Sequence, residues 1–170
     1  MRRASSLPVK WQIVTFSITA LLVVVADQLS KTWIRSNLAV GHSLPEVGFF
    51  RLTHVRNTGA AFGLFQGQSG PLTIVAIVGI MVLLLYALLV YRQFPFLDST
   101  PVKVTLGLVL GGTVGNLTDR IRFGYVTDFV DVGFWPAFNV ADSAIVIGTI
   151  LFAYSLISRA RAGKHQIMSQ

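Results

Sequence analysis

The chain has 170 residues, of which 53% are hydrophobic and 12% charged, and its mean hydropathy is +0.66. Because an average soluble domain carries about 25% charged residues, this composition excludes an ordinary soluble domain and indicates a membrane protein. The net charge is +7. The basic residues flank apolar runs, so we attribute them to anionic lipid and membrane topology and expect no nucleic-acid partner. The sequence contains no cysteine, which excludes disulfides, thiolate catalysis and thiolate metal sites.

Four segments have the length of about 20 apolar residues that a bilayer-spanning helix needs. They comprise residues 11–31, 72–91, 102–121 and 139–158. The first resembles a signal peptide, since basic residues precede it. It lacks an Ala-x-Ala-like cleavage site and three more spans follow, so we interpret it as a retained transmembrane helix. We expect residues 1–170 to form one integral-membrane domain, with a long polar outer segment at 32–71.

The distribution of charge predicts that both termini lie in the cytoplasm. With that orientation the inner basic residues occupy short loops and tails, where the positive-inside rule applies best. Of the seven acidic residues, only Asp98 then lies inside. Trp11, Trp33, Tyr91 and Trp135 all fall at span ends, where interfacial aromatic residues are common.

The long outer segment contains a β-prone run at residues 49–56, followed by Asn57-Thr58-Gly59, which by itself predicts a turn. Residues 60–65 are apolar but too short to span a membrane, and we expect a short amphipathic helix there. The predicted fold is an all-α membrane protein with four transmembrane helices. A small β-rich cradle and the short surface helix are expected on the periplasmic or extracellular side.

Polar and ionisable residues gather at one predicted depth. They close the first and third spans, occupy the connection between the last two spans, and open the fourth. Because odd spans end outside and even spans begin there, all of them belong to one outer layer. Such groups are costly in a membrane and usually mark function. They are Asp27, Lys31, Asn116, Asp119, Arg120, Asp128, Asn139 and Asp142.

Each of these residues also has a structural interpretation. Asn139 and Asp142 have the spacing of a capping box, and an acid at that position favours the helix dipole. Asp128 alone could be an ordinary acid of a connecting loop. Asp27 and Lys31, four residues apart, are better explained as a structural ion pair than as catalytic groups. The spacing by itself therefore leaves both a structural role and a catalytic role open for these residues.

Two further patterns concern packing and metals. Gly107, Gly111 and Gly115 recur every fourth residue, with Gly112 adjacent, which indicates close helix packing in lipid. The three histidines lack metal-ligand spacing, so we expect neither a metal nor a cofactor. They are His42, His54 and His165.

The residues leave rival membrane functions open. A small membrane carrier also places acids in the bilayer, but usually near the midplane and beside broken helices. A metal-dependent lipid phosphotransferase could hold Mg²⁺ through the acids, although no Gly-rich phosphate motif or dense Asp run faces the cytoplasm, where nucleotide donors are found. A serine protease is disfavoured because Gly-x-Ser-x-Gly is absent, and because Ser30 and Lys31 diverge along a helix.

Five motifs, taken in order and spacing, resemble those of the bacterial lipoprotein signal peptidases, also called signal peptidase II. The departures are small: Val140 stands where Leu is commoner, and Trp135 where Phe is commoner. The motifs are Asp27-Gln28-Leu29-Ser30-Lys31, Asn57-Thr58-Gly59-Ala60-Ala61-Phe62, Gly111-Gly112-x-x-Gly115-Asn116-Leu117-x-Asp119-Arg120, Val126-x-Asp128-Phe129 and Pro136-Ala137-Phe138-Asn139-Val140-Ala141-Asp142-Ser143-Ala144.

The resemblance implies that Asp128 and Asp142 are the catalytic dyad of an aspartic protease. The implied substrate is the signal peptide of a prolipoprotein whose cysteine carries diacylglycerol, cut just before that cysteine. The resemblance also implies inhibition by globomycin-type cyclic peptides. It places the enzyme in the bacterial inner membrane, among its lipids, with the active site toward the outer face. We expect a monomer.

The remaining residues of the polar layer are predicted to support the dyad. We expect Asn57, Asn116 and Arg120 to hold the substrate backbone and the neighbours of the dyad, and Asn139 to orient Asp142. Asp27 and Lys31 are expected to brace the site. Gly59 and Asp119 complete the predicted supporting set.

Overall fold

The computed structural model describes residues 9–59, 65–85 and 99–168. Four helices and three strands cover most of these residues. In chain order they are α1 (Val9–Asn37), β1 (Ser43–Leu44), β2 (Arg51–Asn57), α2 (Ser69–Leu85), α3 (Thr100–Phe123), β3 (Val126–Asp131) and α4 (Val140–Met168). The short surface helix predicted at 60–65 lies mostly outside the described residues, and so do residues 86–91 of the second predicted span and Asp98.

The helices present apolar side chains outward and polar side chains inward. Leu21, Leu29 and Ile150 are exposed, whereas Lys31 and Asn139 are among the largest fully buried side chains. Within the described residues, two helical segments are long and apolar enough to cross a membrane, Trp11–Asn37 and Val140–Ser158. This inverted distribution fits a protein whose helices face lipid. The expectation of four spans stays a prediction.

Helix α3 packs between α1 and α4 through its glycines. A Cβ added at Gly107 would lie 2.8 Å from the Phe16 carbonyl oxygen of α1, and one at Gly111 would lie 2.6 Å from that of Ala20. Gly112 meets the backbone of α4 in the same way. The prediction that these glycines serve close helix packing is confirmed, because no larger side chain fits without moving a backbone.

The end of α3 directs the chain into the sheet. Gly124 adopts a left-handed conformation (φ 76°), and its N–H donates to the Arg120 carbonyl oxygen at 3.0 Å. Only glycine adopts that conformation without steric cost. The turn therefore ends α3 and begins β3 within three residues, which brings Asp128 back over the helix ends.

The three strands form one antiparallel sheet in the order β1-β2-β3. In the register of β2 and β3, Val55 faces Asp128 and Asn57 faces Val126. Phe138 bridges to Val130, which holds the start of α4 against the sheet. The β-prone run is therefore a strand, shifted slightly from the predicted bounds. The interpretation of Asp128 as a loop residue is wrong, because β2 supplies a pairing partner for its segment.

Candidate active site

The C-terminal ends of α1 and α3 and the N-terminal end of α4 meet β3 in a buried polar layer. The layer contains the residues that the sequence predicted at the ends of the helices and in the segment that forms β3. Asp27, Lys31, Asp119 and Asn139 have no exposed surface, and Asp128 is only 2% exposed. A buried polar group is costly unless it is hydrogen-bonded, so the partners of each group define what this layer can do.

Asp128 projects from β3 between two asparagine side chains. Its Oδ2 accepts a hydrogen bond from Asn57 Nδ2 at 2.8 Å, and its Oδ1 accepts one from Asn139 Nδ2 at 2.6 Å. The pairing of β2 with β3 brings Asn57 within reach, so the sheet positions this carboxyl from one side and α4 positions it from the other.

Asp142 lies in the first turn of α4 and forms a reciprocal cap with Asn139. The Asp142 N–H donates to Asn139 Oδ1 at 2.9 Å, and the Asn139 N–H donates to Asp142 Oδ2 at 3.2 Å. The other carboxyl oxygen accepts from Asn116 Nδ2 at 2.8 Å. The predicted capping box is therefore confirmed. Capping also fixes the direction of this carboxyl, so it is compatible with a chemical role.

Asn139 connects the two carboxyl groups. Its side-chain Nδ2 donates to Asp128 Oδ1, and its backbone N–H donates to Asp142 Oδ2. Asn116 Oδ1 in turn accepts from Asn139 Nδ2 at 3.1 Å and from Lys31 Nζ at 2.8 Å. Hydrogen bonds through the Asn116 and Asn139 side chains therefore link both carboxyl groups to the buried ammonium of Lys31. These bonds fix the rotamers of the two carboxyl groups.

Lys31 is the centre of a buried ion cluster. Its Nζ lies 2.8 Å from Asp27 Oδ2 and 3.6 Å from Asp119 Oδ2. Asp27 Oδ1 accepts from the Ala141 N–H at 3.0 Å, which is one of the backbone donors that α4 leaves unpaired at its start. The interpretation of Asp27 and Lys31 as a structural pair agrees with this geometry, since the pair ties α1 to α4 directly beneath Asp142.

A cavity of about 710 Å³ opens beside the two predicted catalytic residues. Asp128, Asp142, Asn57, Gly59 and Arg120 line it. The Arg120 guanidinium donates from Nη2 to the Gly59 carbonyl oxygen at 3.2 Å. The rest of its wall is largely apolar and includes Trp135, Phe138, Ile145, Val146 and Ile147.

The environment of Asp128 disfavours its charged form. Burial raises the pKa of Asp128 to about 7, and the nearby Asp142 carboxyl adds to the rise. The hydrogen bonds from Asn57 and Asn139 and the charge of Lys31 oppose it. Two neighbouring carboxyl groups cannot both ionise easily. The pair therefore holds a proton near neutral pH.

Comparisons with known proteins show the family of the chain. A family model described as signal peptidase (SPase) II matches residues 19–158. The chain belongs to the signal peptidase II family. It is therefore a peptidase, and membership decides against the carrier and the lipid phosphotransferase.

Individual relatives span most of the chain. A lipoprotein signal peptidase of Dehalococcoides mccartyi strain BAV1 is 49% identical over 135 residues, which cover 79% of this chain and 84% of the relative. That of Moorella thermoacetica is 47% identical over 144 residues, covering 84% of this chain and 92% of the relative. A solved bacterial membrane enzyme matches with a TM-score of 0.76 at 29% identity and covers 94% of each chain.

Sequence reasoning missed three residues that complete the polar layer of this signal peptidase II member. Arg35 Nη1 donates to Asp119 Oδ1 at 3.3 Å and to Thr127 Oγ1 at 3.0 Å. The Thr127 N–H donates to Asp119 Oδ2 at 2.9 Å. Gln28 Nε2 lies 3.2 Å from both Asp27 Oδ2 and Asp119 Oδ1. Arg35 follows Lys31 by one helical turn, so the spacing of Asp27, Lys31 and Arg35 along one helix face was an available signal.

His54 lies outside this layer. His54 is buried in the sheet, where its Nδ1 lies 2.8 Å from the Leu38 carbonyl oxygen. In the described segments 9–59, 65–85 and 99–168, no three His, Cys, Asp or Glu residues are grouped so that they could hold a metal ion.

Proposed function

We propose that the chain is an aspartic endopeptidase that removes the signal peptide from diacylglyceryl-modified prolipoproteins, cutting just before the lipidated cysteine. The observation that carries the proposal is the geometry of two carboxyl groups, Asp128 and Asp142, which line one cavity and both accept hydrogen bonds from one asparagine, Asn139. Membership of the signal peptidase II family supports the choice of substrate.

The proposed reaction uses the pair as acid and base. Asp128 carries the shared proton, because burial and the neighbouring carboxyl raise its pKa to about 7. Asp142 then takes a proton from a water molecule as that water attacks the scissile carbonyl carbon. Asp128 donates its proton to the carbonyl oxygen, and a proton later passes to the leaving amine as the C–N bond breaks. The net result is the hydrolysis of one peptide bond by one water.

The supporting residues have proposed roles that follow from their contacts. Arg120 lies on the cavity wall and holds the Gly59 carbonyl oxygen, so it fixes the edge of the groove that receives the substrate backbone. Asn57 and Asn116 each hold one oxygen of the pair. Their donors keep the carboxyl groups in position while protons move.

The cavity wall favours entry from the membrane. Val146 and Ile147 line the cavity and are also about half exposed on α4, at 56% and 51%. A signal helix in the bilayer can therefore approach the pair without leaving lipid, and the acyl chains of the cysteine can stay in the outer leaflet. Small apolar residues before the cysteine would fit the apolar wall.

The proposed setting is the bacterial cytoplasmic membrane. Four helices would span it with both termini in the cytoplasm, and the pair would lie near the outer face. The chain would act as a monomer without a metal or cofactor. Globomycin-type cyclic peptides would compete for the same cavity.

Lipid dependence tests this proposal directly. The purified enzyme would be incubated with one prolipoprotein in two forms, with and without the diacylglyceryl group, and the products analysed by mass spectrometry. We expect cleavage of the modified form just before the cysteine. Equal cleavage of the unmodified form would contradict the proposed substrate.

A further inference from the structure

Two aromatic rings at the outer end of α3 carry three arginine side chains from three elements. Phe123 and Tyr125 stack with their ring centroids 5.9 Å apart. Arg35 of α1 and Arg122 of α3 lie over the Phe123 ring, at 4.7 Å and 5.6 Å from its centroid. Arg56 of β2 lies over the Tyr125 ring at 4.9 Å. These five residues form an arginine–aromatic cluster, and one of them, Arg56, also lines the cavity.

The cluster carries positive charge that the described part of the chain does not neutralise. Arg35 pairs with Asp119. Arg56 and Arg122 are exposed, and no carboxylate of the described residues lies within ion-pair distance of either one. Each is instead held over a ring face. Two exposed guanidinium groups without a carboxylate partner among the described residues leave N–H donors for an anionic ligand.

The stacked geometry favours an oxyanion ligand. A guanidinium that lies over an aromatic ring uses its flat face for that contact. Its N–H groups point outward in the plane and stay available as donors. The N–H donors of two such guanidinium groups match the oxygens of a phosphate group. Binding costs little side-chain freedom, because the rings already hold the arginine side chains in place.

The depth of the cluster selects a lipid as the source of the phosphate. Ile121, just before the cluster on α3, is 66% exposed, as expected for a side chain that faces acyl chains. Trp33, two residues before Arg35 on α1, is 48% exposed, and tryptophan prefers the membrane–water interface. Given the proposed spans, the guanidinium groups lie at the level of the headgroups.

We propose that the arginine–aromatic cluster binds the phosphate of an anionic phospholipid in the leaflet next to the active site. This site goes beyond the proteolytic function and depends only on the membrane placement of the helices. It would also brace the catalytic region, because Arg56 directly precedes Asn57, which holds Asp128. A bound headgroup would therefore tie β2 to the end of α3.

Binding of spin-labelled phosphatidylglycerol in phosphatidylcholine nanodiscs tests the site. We expect Arg56→Gln and Arg122→Gln each to weaken binding about five-fold, the factor that corresponds to about 1 kcal/mol for one arginine near a charged membrane surface. Tyr125→Leu should weaken binding although the net charge is unchanged, and Tyr125→Phe should retain it because the ring remains. Arg161→Gln is the matched control, since it removes an exposed arginine near the C-terminal end of α4, which lies away from the cluster.

Three results would overturn the site. Equal weakening by Arg161→Gln and Arg56→Gln would mean that lipid binds through overall charge. Unchanged binding by Tyr125→Leu would mean that the rings do not organise the arginines. The third result compares two additions to phosphatidylcholine nanodiscs. If inorganic phosphate raises the unfolding temperature as much as phosphatidylglycerol in the bilayer does, the cluster takes free phosphate. The unfolding temperature of each variant in pure phosphatidylcholine checks its folding, and the conservative Tyr125→Phe change provides a second, folded comparison for the ring.

Discussion

Removal of the buried ammonium of Lys31 should destabilise the protein strongly. Lys31→Met keeps the length of the side chain but leaves Asp27, which has no exposed surface, without the ammonium 2.8 Å away. Breaking a buried ion pair by removing one partner costs about 3–5 kcal/mol, because the remaining charge is buried without compensation. For a chain of this size that corresponds to a fall in unfolding temperature of roughly 6–20 °C.

The double variant Asp27→Asn/Lys31→Met provides the control. It removes both charges, and the asparagine introduced in place of Asp27 still has an oxygen that can accept from the Ala141 N–H, which in the native chain bonds Asp27 Oδ1 at 3.0 Å. Replacing a whole buried pair by neutral groups is often close to neutral. We therefore expect the double variant to recover most of the stability that the single variant loses.

Thermal unfolding in detergent, followed by tryptophan fluorescence at one fixed scan rate, measures the difference. A fixed rate matters because membrane-protein unfolding is commonly irreversible. If the double variant unfolds at the same temperature as Lys31→Met, the uncompensated charge of Asp27 is not the cause of the loss. If Lys31→Met unfolds at the wild-type temperature, the ion cluster does not stabilise the fold.

The remaining predictions concern pH and packing. With the pKa of Asp128 at about 7, kcat/KM should fall as the pH rises through about 7, because the proton donor is lost; a rate independent of pH from 5 to 9 would contradict this. Stability should fall as the pH rises from about 3.8 to about 7 and level off above that, since over this range the folded state holds a proton that an unfolded aspartate has released. Gly115→Ala should lower stability by about 1–3 kcal/mol, because its Cβ would lie 2.6 Å from a carboxyl oxygen of Asp27. Gly79→Ala, with open space around its Cβ, is the matched control, and equal unfolding temperatures for the two variants would refute the packing argument.

Local patterns in the sequence predicted the start of α4 and the small-residue packing well. Asn139 and Asp142 are three residues apart, and a capping box needs no information beyond that spacing. The glycines of α3 likewise recur within one helix. The length of the apolar run, by contrast, predicted the end of α1 poorly. The run indicated an end at residue 31, whereas α1 continues to Asn37. Helical hydrogen bonding continues after the apolar run stops.

Contacts between distant segments could not be read from the sequence. The segment of Asp128 becomes a strand because it pairs with β2, some seventy residues earlier in the sequence. Arg35 contacts Thr127 across 92 positions. Neither contact has a local pattern, so both required the folded chain. The five motifs located the polar layer, and the structure supplied its hydrogen bonds.

The rate of the two dyad variants tests the central claim most directly. Purified Asp128→Asn and Asp142→Asn would be incubated with a diacylglyceryl-modified prolipoprotein, with Asp131→Asn as the matched control because Asp131 belongs to β3 but does not line the cavity. We expect each dyad variant to fold and to lose activity by a factor of about 10²–10⁴ or more, the contribution typical of one general acid or base, while Asp131→Asn cleaves the substrate. Substantial cleavage by either folded dyad variant would contradict the account.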